Sequence, residues 1–227
     1  MSNKIYHVRP RDTLFDIARH CGIELPKLIA LNPQIKNPDK IMPGQAIVVP
    51  GDISRRDIIV KSAMEIGGDE PLRLKIARRE MAVVQHDDNA KKAEDRENPI
   101  IVEYLASVKG LSPGQVSSDE TAWCSAFANW CCELAEEEGT DSAWALHWKN
   151  WGRDTDEPKP GDLVVWSRDH VTDPKDRGGH VGFFLYFHEG GVRVLGGNQS
   201  DSVCEQTYPF DGVQGKYRYK LVAYRTA

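Results

Sequence analysis

The sequence predicts an α+β protein in two parts, a small β-α-α-β module followed by a larger domain whose helices precede an antiparallel sheet. Three observations support this. The strand-like segments IYHV and AIVV enclose two helical segments within residues 5–50. Apolar residues then recur at helical spacing over much of residues 54–138. From residue 160 onward, short apolar segments alternate with turns that contain Gly or Pro, as in antiparallel strands.

Composition narrows the functional classes. A net charge of −5, a pI of about 5.8 and a mean hydropathy of −0.50 argue against sequence-independent nucleic-acid binding, which needs a basic face. No apolar run approaches the roughly 18 residues that a membrane span needs. The N-terminus MSNKIYHVRP lacks the apolar core of a Sec signal peptide. We therefore expect synthesis in the cytoplasm, and export by a non-Sec route if the protein acts in the periplasm or cell wall.

The five cysteines do not form a recognisable metal or disulfide pattern. Their odd number leaves at least one free thiol. The chain contains no C-x-x-C pair and no closely spaced histidine pair, so we expect no structural metal. No cofactor is expected either.

The first module begins with a strand at IYHV. Asp12 or Thr13 can cap the helix that follows, and Gly22 ends it. A second short helix, LPKLIALN, ends at Asn32-Pro33. A loop rich in turn residues then leads to a strand that can pair with the first.

This segment, residues 1–50, resembles a LysM domain, the module that binds N-acetylglucosamine-containing glycans such as peptidoglycan. The resemblance rests on these residues: Tyr6, Val8, Asp12-Thr13-Leu14, Ile17-Ala18, Leu28, Leu31-Asn32-Pro33, Ile41, Pro43-Gly44-Gln45 and Ile47. It implies glycan contacts from Asp12, Thr13, Leu14, Asn32 and Ile41. One departure is Arg11, which stands where the family usually has glycine in the loop that faces the sugar. A docking or dimerisation module without glycan affinity is the alternative.

Residues 51–62 are interpreted as a linker and 63–227 as the second domain. Helical spacing starts at Ser54 and recurs in PLRLKIARREMAVVQ and IIVEYLASV. The charged segment HDDNAKKAEDRENP between them predicts a solvated loop.

The segment TAWCSAFANWCC predicts a helix that extends to Gly139, with Asp119 or Thr121 as its N-cap. An apolar stripe predicts a buried face: Ala126, Phe127, Trp130, Cys131 and Leu134. Cys131 and Cys132 are therefore expected to be buried and unreactive. Cys124 lies in the first turn, where unpaired N–H groups and the helix dipole lower a thiol's pKa and can hold an oxyanion.

A base for Cys124 is expected from the sheet. A strand starts near Asp162, a second begins at His180 in HVGFFLYF, and Asn198 follows the end of the next strand. VCEQTYPF and YKLVAYR complete the sheet. A helix with Cys, then a sheet with His and Asn, is the chain order of a papain-like arrangement.

The motifs WC, PGD, GHVG and GGNQ, in this order, are similar to the NlpC/P60 and CHAP superfamily of cysteine peptidases and amidases. The resemblance covers roughly residues 63–225. It implies Cys124 as nucleophile, His180 as general base and Asn198 as the orienting residue, with Asp162 and Gln199 in reserve. The family tends to have an acidic residue two positions before the asparagine, where Gly196 stands here. Asp119, Trp123, Trp151 and Gln199 are the expected substrate contacts.

Peptidoglycan contains both N-acetylglucosamine and amide bonds, so the two resemblances together imply a cell-wall hydrolase. The bond would lie in the peptide stem or at its junction with muramic acid. The protein would be either a toxin, for example one delivered by type VI secretion and accompanied by a cognate immunity protein, or a phage-type lysin. The alternative is a non-catalytic glycan-binding protein that keeps a papain-like scaffold.

Overall fold

A computed structural model describes residues 3–51, 54–83 and 97–227. The fold is α+β, as the sequence predicts, with a small N-terminal module followed by helices and then a large antiparallel sheet. Of the charged segment predicted as a loop, positions 86–96 lie outside the described residues. Within the described part of the chain, no helix is both long enough and apolar enough to cross a bilayer.

The N-terminal module has the predicted β-α-α-β order. Its elements are β1 (Lys4–His7), α1 (Leu14–His20), α2 (Leu25–Leu31) and β2 (Ala46–Val49). The strands pair antiparallel, with Tyr6 opposite Ile47. Thr13, rather than Asp12, caps α1 by accepting the N–H of Asp16 at 3.0 Å. Arg11 has a φ of +69°, in the left-handed region that glycine adopts without strain, which explains why this loop favours glycine.

Five helices and a short 3-10 helix are described between the module and the sheet. They are α3 (Arg55–Met64), α4 (Leu72–Arg79), α5 (Pro99–Leu105), α6 (Pro113–Val116), α7 (Cys124–Leu134) and the 3-10 helix Ala145–Asn150. Helix α3 starts inside the segment interpreted as a linker, because Ser54 and Asp57 form a capping box that fixes its first turn. The chain therefore passes from the module into a helix within a few residues.

In the part of the chain that the structure describes, the sheet of the second domain has seven strands. They are β3 (Arg153–Asp154), β4 (Leu163–His170), β5 (Arg177–His188), β6 (Gly191–Gly196), β7 (Cys204–Pro209), β8 (Asp211–Gln214) and β9 (Tyr217–Thr226). Their order is β3-β9-β4-β5-β6-β7, with β8 also paired to β9, and all pairs are antiparallel. Strand β5 starts three residues before His180, so this histidine lies within the strand rather than at its start.

Alternate residues of the central strands enter two different cores. Val165, Val181 and Phe183 face the main core, which contains α7. Val164, Trp166 and Tyr208 belong to a second cluster on the other face. This follows from the period of two in a strand.

Helix α7 is buried on nearly every side, and Glu133 is its one exposed residue. Its first residue is Cys124, so neither Asp119 nor Thr121 caps it. The N-cap is Trp123, and the helix ends at Leu134 instead of continuing to Gly139. The predicted apolar stripe is buried, and Cys131 and Cys132 are buried free thiols, as expected. Burial raises the pKa of Cys132 to about 12.

The N-terminal module docks against α4 and α5. The guanidinium of Arg79 in α4 bonds to the carboxylate of Asp12 and to the carbonyl of Pro10. Arg9 donates to Glu80 at 3.3 Å and to Glu103 at 2.5 Å. These contacts are buried, so the module is seated on the second domain rather than suspended from it.

Candidate active site

Cys124 lies at the N-terminal end of the buried helix α7. Only 7 % of the residue is exposed. The preceding Trp123 has an indole that can only donate hydrogen bonds, so it cannot cap the first N–H groups of the helix. The backbone N–H groups of Cys124 and Ser125 therefore remain directed at the sulfur, together with that of Val181 in β5. Three backbone donors thus surround the thiol.

Burial raises the pKa of the Cys124 thiol above its usual value. The charge of Arg168 and the N–H groups of Val181, Ser125 and Cys124 oppose this effect without overcoming it. The prediction of a thiolate stabilised by the helix start is therefore wrong for the resting state, because desolvation outweighs the helix-end dipoles. The sulfur is a neutral thiol at neutral pH, and it needs a base to become a nucleophile.

His180 lies in β5, opposite Trp166 of β4. Its ring packs against Tyr208 with the centroids 4.6 Å apart. Burial lowers the pKa of His180 to about 4; the hydrogen bond to Gln199 raises it, and the charge of Arg168 lowers it further. The imidazole is therefore neutral at neutral pH and can accept a proton.

The hydrogen bonds of Gln199 fix the tautomer of this histidine. The side-chain amide of Gln199 donates to the carbonyl of Cys204, so its oxygen must face His180. That oxygen lies 2.9 Å from Nε2 of His180, which must carry the proton and donate. Nδ1 is then the nitrogen that can take a proton from a thiol. Since the N–H of Val181, the next residue, points at the sulfur of Cys124, the two groups belong to one site.

The amide that orients His180 belongs to Gln199, not to Asn198. Asn198, Ser200 and Asp201 all have φ between +51° and +56° and form a tight turn after β6. This turn directs Gln199 inward, where it is fully buried. The assignment of Asn198 as the orienting residue is therefore wrong, and the reserve residue Gln199 takes the position. A Cβ built on Gly196 would lie 2.9 Å from Oε1 of Gln199, so the two side chains would compete for one space.

We expect Gln199→Ala to lower kcat about 10- to 100-fold on the substrate that the sequence implies, peptidoglycan, because the imidazole loses the acceptor that holds its tautomer and orientation. Asn198→Gly is the matched control, since glycine keeps the positive φ and removes only the amide. It is expected to retain activity. Steady-state rates of the two purified variants give the comparison, and a larger loss in the Asn198 variant would contradict this assignment.

The pH profile provides a second test of the site. We expect the acid limb of kcat/KM to lie near pH 4 instead of near 6.5, because this parameter reports the pKa of the free enzyme's base. Initial rates between pH 3.5 and 8 in buffers of constant ionic strength measure it. An acid limb near 6.5 would mean that the His180 ring is hydrated.

The same pKa predicts a stability change. Between about pH 6.5 and pH 4 the unfolded chain binds a proton at His180 that the native chain does not, so stability falls as the pH falls through this window. His180→Gln is expected to show a smaller fall, measured by denaturant unfolding at pH 7 and pH 4.5.

Three of the expected substrate contacts have structural roles. Trp123 is fully buried and packs against Tyr104, with the centroids 5.9 Å apart. Asp119 is also fully buried and accepts the backbone N–H of Asn98. Trp151 donates to the carbonyl of Glu138, beyond the far end of α7 from Cys124. Trp123 and Asp119 are thus enclosed in the fold, and substrate contact by the three residues stays a prediction.

The expected glycan contacts are mostly occupied within the protein. Leu14 lies in the core, and the fully buried Asn32 bonds to the backbone of Leu28 and Val48. The carboxylate of Asp12 is taken by Tyr6, Arg9 and Arg79. Thr13 caps α1 through its hydroxyl, and Ile41 packs partly buried against the core. Leu14, Asn32 and Asp12 thus build and seat the module, whereas Thr13 and Ile41 are partly exposed, so glycan contact through these two stays a prediction.

Sequence reasoning missed one charged group of the site. Arg168 lies two residues after Trp166 on β4, so the two side chains share a face. Its charge acts on both Cys124 and His180. The signal available was the alternation in VVWSR, which places an arginine on the same face as a tryptophan.

Comparison with known proteins gives two domain matches. Residues 6–50 match the LysM domain and residues 116–198 match the CHAP domain. The predicted order of a LysM domain followed by a CHAP-type domain is confirmed. The LysM domain indicates glycan binding, and the CHAP domain indicates a peptidoglycan amidase or peptidase in general.

Two curated relatives match over short segments. SpoIVD-associated factor A of Bacillus subtilis is 43 % identical over 49 residues, which is 22 % of this chain and 13 % of that protein. The spore coat assembly protein ExsA of Bacillus cereus is 47 % identical over 47 residues, 21 % of this chain and 7 % of that protein. The similarity thus covers a small part of each relative.

Proposed function

We propose that this chain, a LysM domain followed by a CHAP domain, hydrolyses an amide bond of peptidoglycan with Cys124 as nucleophile. The observation that carries the proposal is a thiol that accepts the N–H of Val181, the residue after a buried histidine. Because Gln199 holds Nε2 of this histidine, Nδ1 is the nitrogen that can accept a proton. Peptidoglycan is the substrate that suits both domains, because it contains the glycan that LysM domains bind and the amide bonds that CHAP domains cleave.

The chemistry is acyl transfer in two steps. Nδ1 of His180 takes the proton of Cys124 as the sulfur attacks the amide carbonyl, and the helix-start N–H groups stabilise the oxyanion. The tetrahedral intermediate collapses, the C–N bond breaks, and the imidazolium returns the proton to the leaving amine. Water then attacks the thioester, with His180 as base, and the acid product leaves with the thiol restored. Gln199 holds the imidazole throughout by accepting from Nε2.

The bond is in the peptide stem or at the junction between muramic acid and the stem. Digestion of purified sacculi, followed by mass spectrometry of the soluble products, distinguishes the two. Release of free stem peptides identifies an amidase, and shortened or uncrosslinked muropeptides identify an endopeptidase. Binding to sacculi without any release would favour the alternative, a glycan-binding protein on a papain-like scaffold. Heat-denatured chain serves as the blank.

Two settings fit such an activity. In one, the chain is an antibacterial toxin delivered by a non-Sec route such as type VI secretion, and a cognate immunity protein covers its site. In the other it is a phage-type lysin. Expression in the periplasm of a bacterium, with and without the neighbouring gene product, separates them: rescue by that product supports the toxin, and lysis without rescue supports the lysin.

A further inference from the structure

We propose that Arg168 and the rings around it form a binding site for a substrate carboxylate next to the catalytic pair. The inference rests on the proposed function and specifies its substrate as a peptide with a free carboxylate close to the scissile amide. The neighbouring groups are Lys216, Tyr217 and Tyr219, and with Arg168 they are called the Arg168 cluster.

Strand register places Arg168 beside His180. Arg168 pairs with Gly178 on β5, two residues before His180, and with Tyr219 on β9. His180 pairs with Trp166, so Arg168 and His180 lie on the same face of adjacent strands, one pair apart. The side chain of Arg168 extends over Gly178, where a built Cβ would be 3.6 Å from Nη2. The guanidinium is therefore next to the catalytic imidazole.

The cluster concentrates positive charge on one aromatic ring. The guanidinium of Arg168 lies 4.2 Å from the centroid of Tyr217, and Nζ of Lys216 lies 5.3 Å from the same centroid. The carboxylate of Asp176, which accepts the hydroxyl of Tyr217, offsets one of these two charges, so the cluster keeps a net positive charge in a chain whose net charge is −5. The charge of Arg168 also lowers the pKa of Cys124, which places that charge within electrostatic reach of the nucleophile.

The guanidinium of Arg168 donates to the hydroxyl of Tyr219 and keeps further N–H donors for a ligand. Among the described residues, the carboxylate of Asp176 is the one that lies within ion-pair distance of Arg168, at 3.9 Å from Nη2. This is beyond hydrogen-bonding distance, and the carboxylate also accepts the hydroxyl of Tyr217. Nε of Arg168 is enclosed, yet it has no hydrogen-bond partner among the described residues. The side chain is 29 % exposed, so a ligand can reach it from solvent. A bound anion would supply the acceptor that Nε of Arg168 lacks.

The guanidinium of Arg168 suits a substrate carboxylate better than it suits the oxyanion that forms during acyl transfer. The planar fork of arginine matches the two oxygens of a carboxylate. The oxyanion forms at the carbonyl attacked by Cys124, where the backbone N–H groups of Cys124, Ser125 and Val181 already converge. Arg168 is thus assigned to substrate selection and not to the acyl-transfer step.

The test uses soluble muropeptides, which a muramidase releases from sacculi. One half is left with free carboxylates (the free form), and the other half is amidated on its carboxylates with carbodiimide and ammonium (the amidated form). We expect the wild type to cleave the free form about 10- to 100-fold faster in kcat/KM, the size of a charge-assisted hydrogen bond. Arg168→Gln should cleave the free form as slowly as the amidated form, and Arg168→Lys should retain part of the preference. Arg193→Gln, a 32 % exposed arginine of the same sheet, should leave the preference intact.

The outcomes separate the two proposals. Equal cleavage of both forms by the wild type would overturn the carboxylate site and leave the hydrolase intact. An equal loss on both forms in Arg168→Gln would also overturn it, since a role at the oxyanion or in folding affects both. Cleavage of neither form by the wild type would overturn the proposed function itself. Because the wild-type preference and the lysine variant test the site independently, a glutamine variant that fails to fold does not decide the question.

Discussion

Alanine at Cys124 is expected to abolish the release of peptidoglycan fragments, and alanine at His180 to lower kcat/KM by about 10⁴- to 10⁶-fold. These large losses are expected because neither Cys124 nor His180 is charged before the substrate binds, so each depends on the other for the proton transfer. Both groups are neutral, since burial raises the pKa of Cys124 and lowers that of His180 to about 4, so the thiol attacks only as its proton leaves for the imidazole. Because the two residues act as one unit, the double variant should lose no more than Cys124→Ala alone.

Rates on sacculi, measured by the appearance of soluble amino groups, compare the three variants. Cys132→Ala is the matched control, as it removes a buried thiol from the same helix without touching the site. Alkylation of Cys124 by iodoacetamide gives an independent check: a neutral pair predicts slow labelling at pH 6, whereas a resting thiolate–imidazolium pair would label rapidly. Residual hydrolysis in Cys124→Ala would transfer the nucleophile to another group.

The positions of Cys124 at a helix start and of His180 in a strand, the proposed catalytic pair, could be predicted from the sequence because their signals are local. A cysteine at the start of an apolar helix and a histidine in a short apolar strand each have a characteristic neighbourhood within about ten residues. The same holds for the β-α-α-β module, whose strands and caps follow from alternation and from Thr13 and Gly22. Each of these features depends on residues close to it in the chain.

The errors share a different cause. Asn198 and Gln199 are adjacent, and only the left-handed turn at Asn198, Ser200 and Asp201 decides which amide points inward. The resting pKa of Cys124 depends on how much of the fold covers it, which no local pattern reports. Arg168 acquires a role through strand register. It pairs with Gly178 and with Tyr219, which lie 10 and 51 positions away along the chain, and this brings it beside His180.

The second large effect is expected at the interface between the two domains. We expect Arg9→Met to lower the free energy of unfolding by about 3–5 kcal/mol, the cost of removing one partner of a buried ion pair. The side chains of Arg9 and Glu80 are both 0 % exposed. Glu80 also accepts the hydroxyl of Tyr104 at 2.6 Å, and burial raises the pKa of Glu80. Without Arg9, this carboxylate is left in the core without its countercharge.

Denaturant unfolding at pH 7 measures the loss, and Arg19→Met is the matched control. Arg19 belongs to the same module and pairs with Glu65 of the second domain at 2.5 Å, but both side chains are about half exposed. An exposed pair contributes at most about 1 kcal/mol, so this variant should unfold nearly as the wild type does. If Arg9→Met and Arg19→Met behaved alike, the buried interface would be contradicted.

The double variant Arg9→Met, Glu80→Met decides how the pair works. If the single variant is unstable because Glu80 is left unpaired, replacing both charges with apolar side chains should restore part of the loss. The remainder is assigned to Glu103, the second carboxylate that Arg9 bonds. The shape of the transition adds the structural consequence. A seated module should unfold together with the second domain in the wild type, whereas Arg9→Met should separate the unfolding into two transitions. Two transitions in Arg9→Met would mean that Arg9 positions the LysM domain relative to Cys124. The distance between a bound glycan and the cleaved amide is then set by the fold and not by a flexible linker.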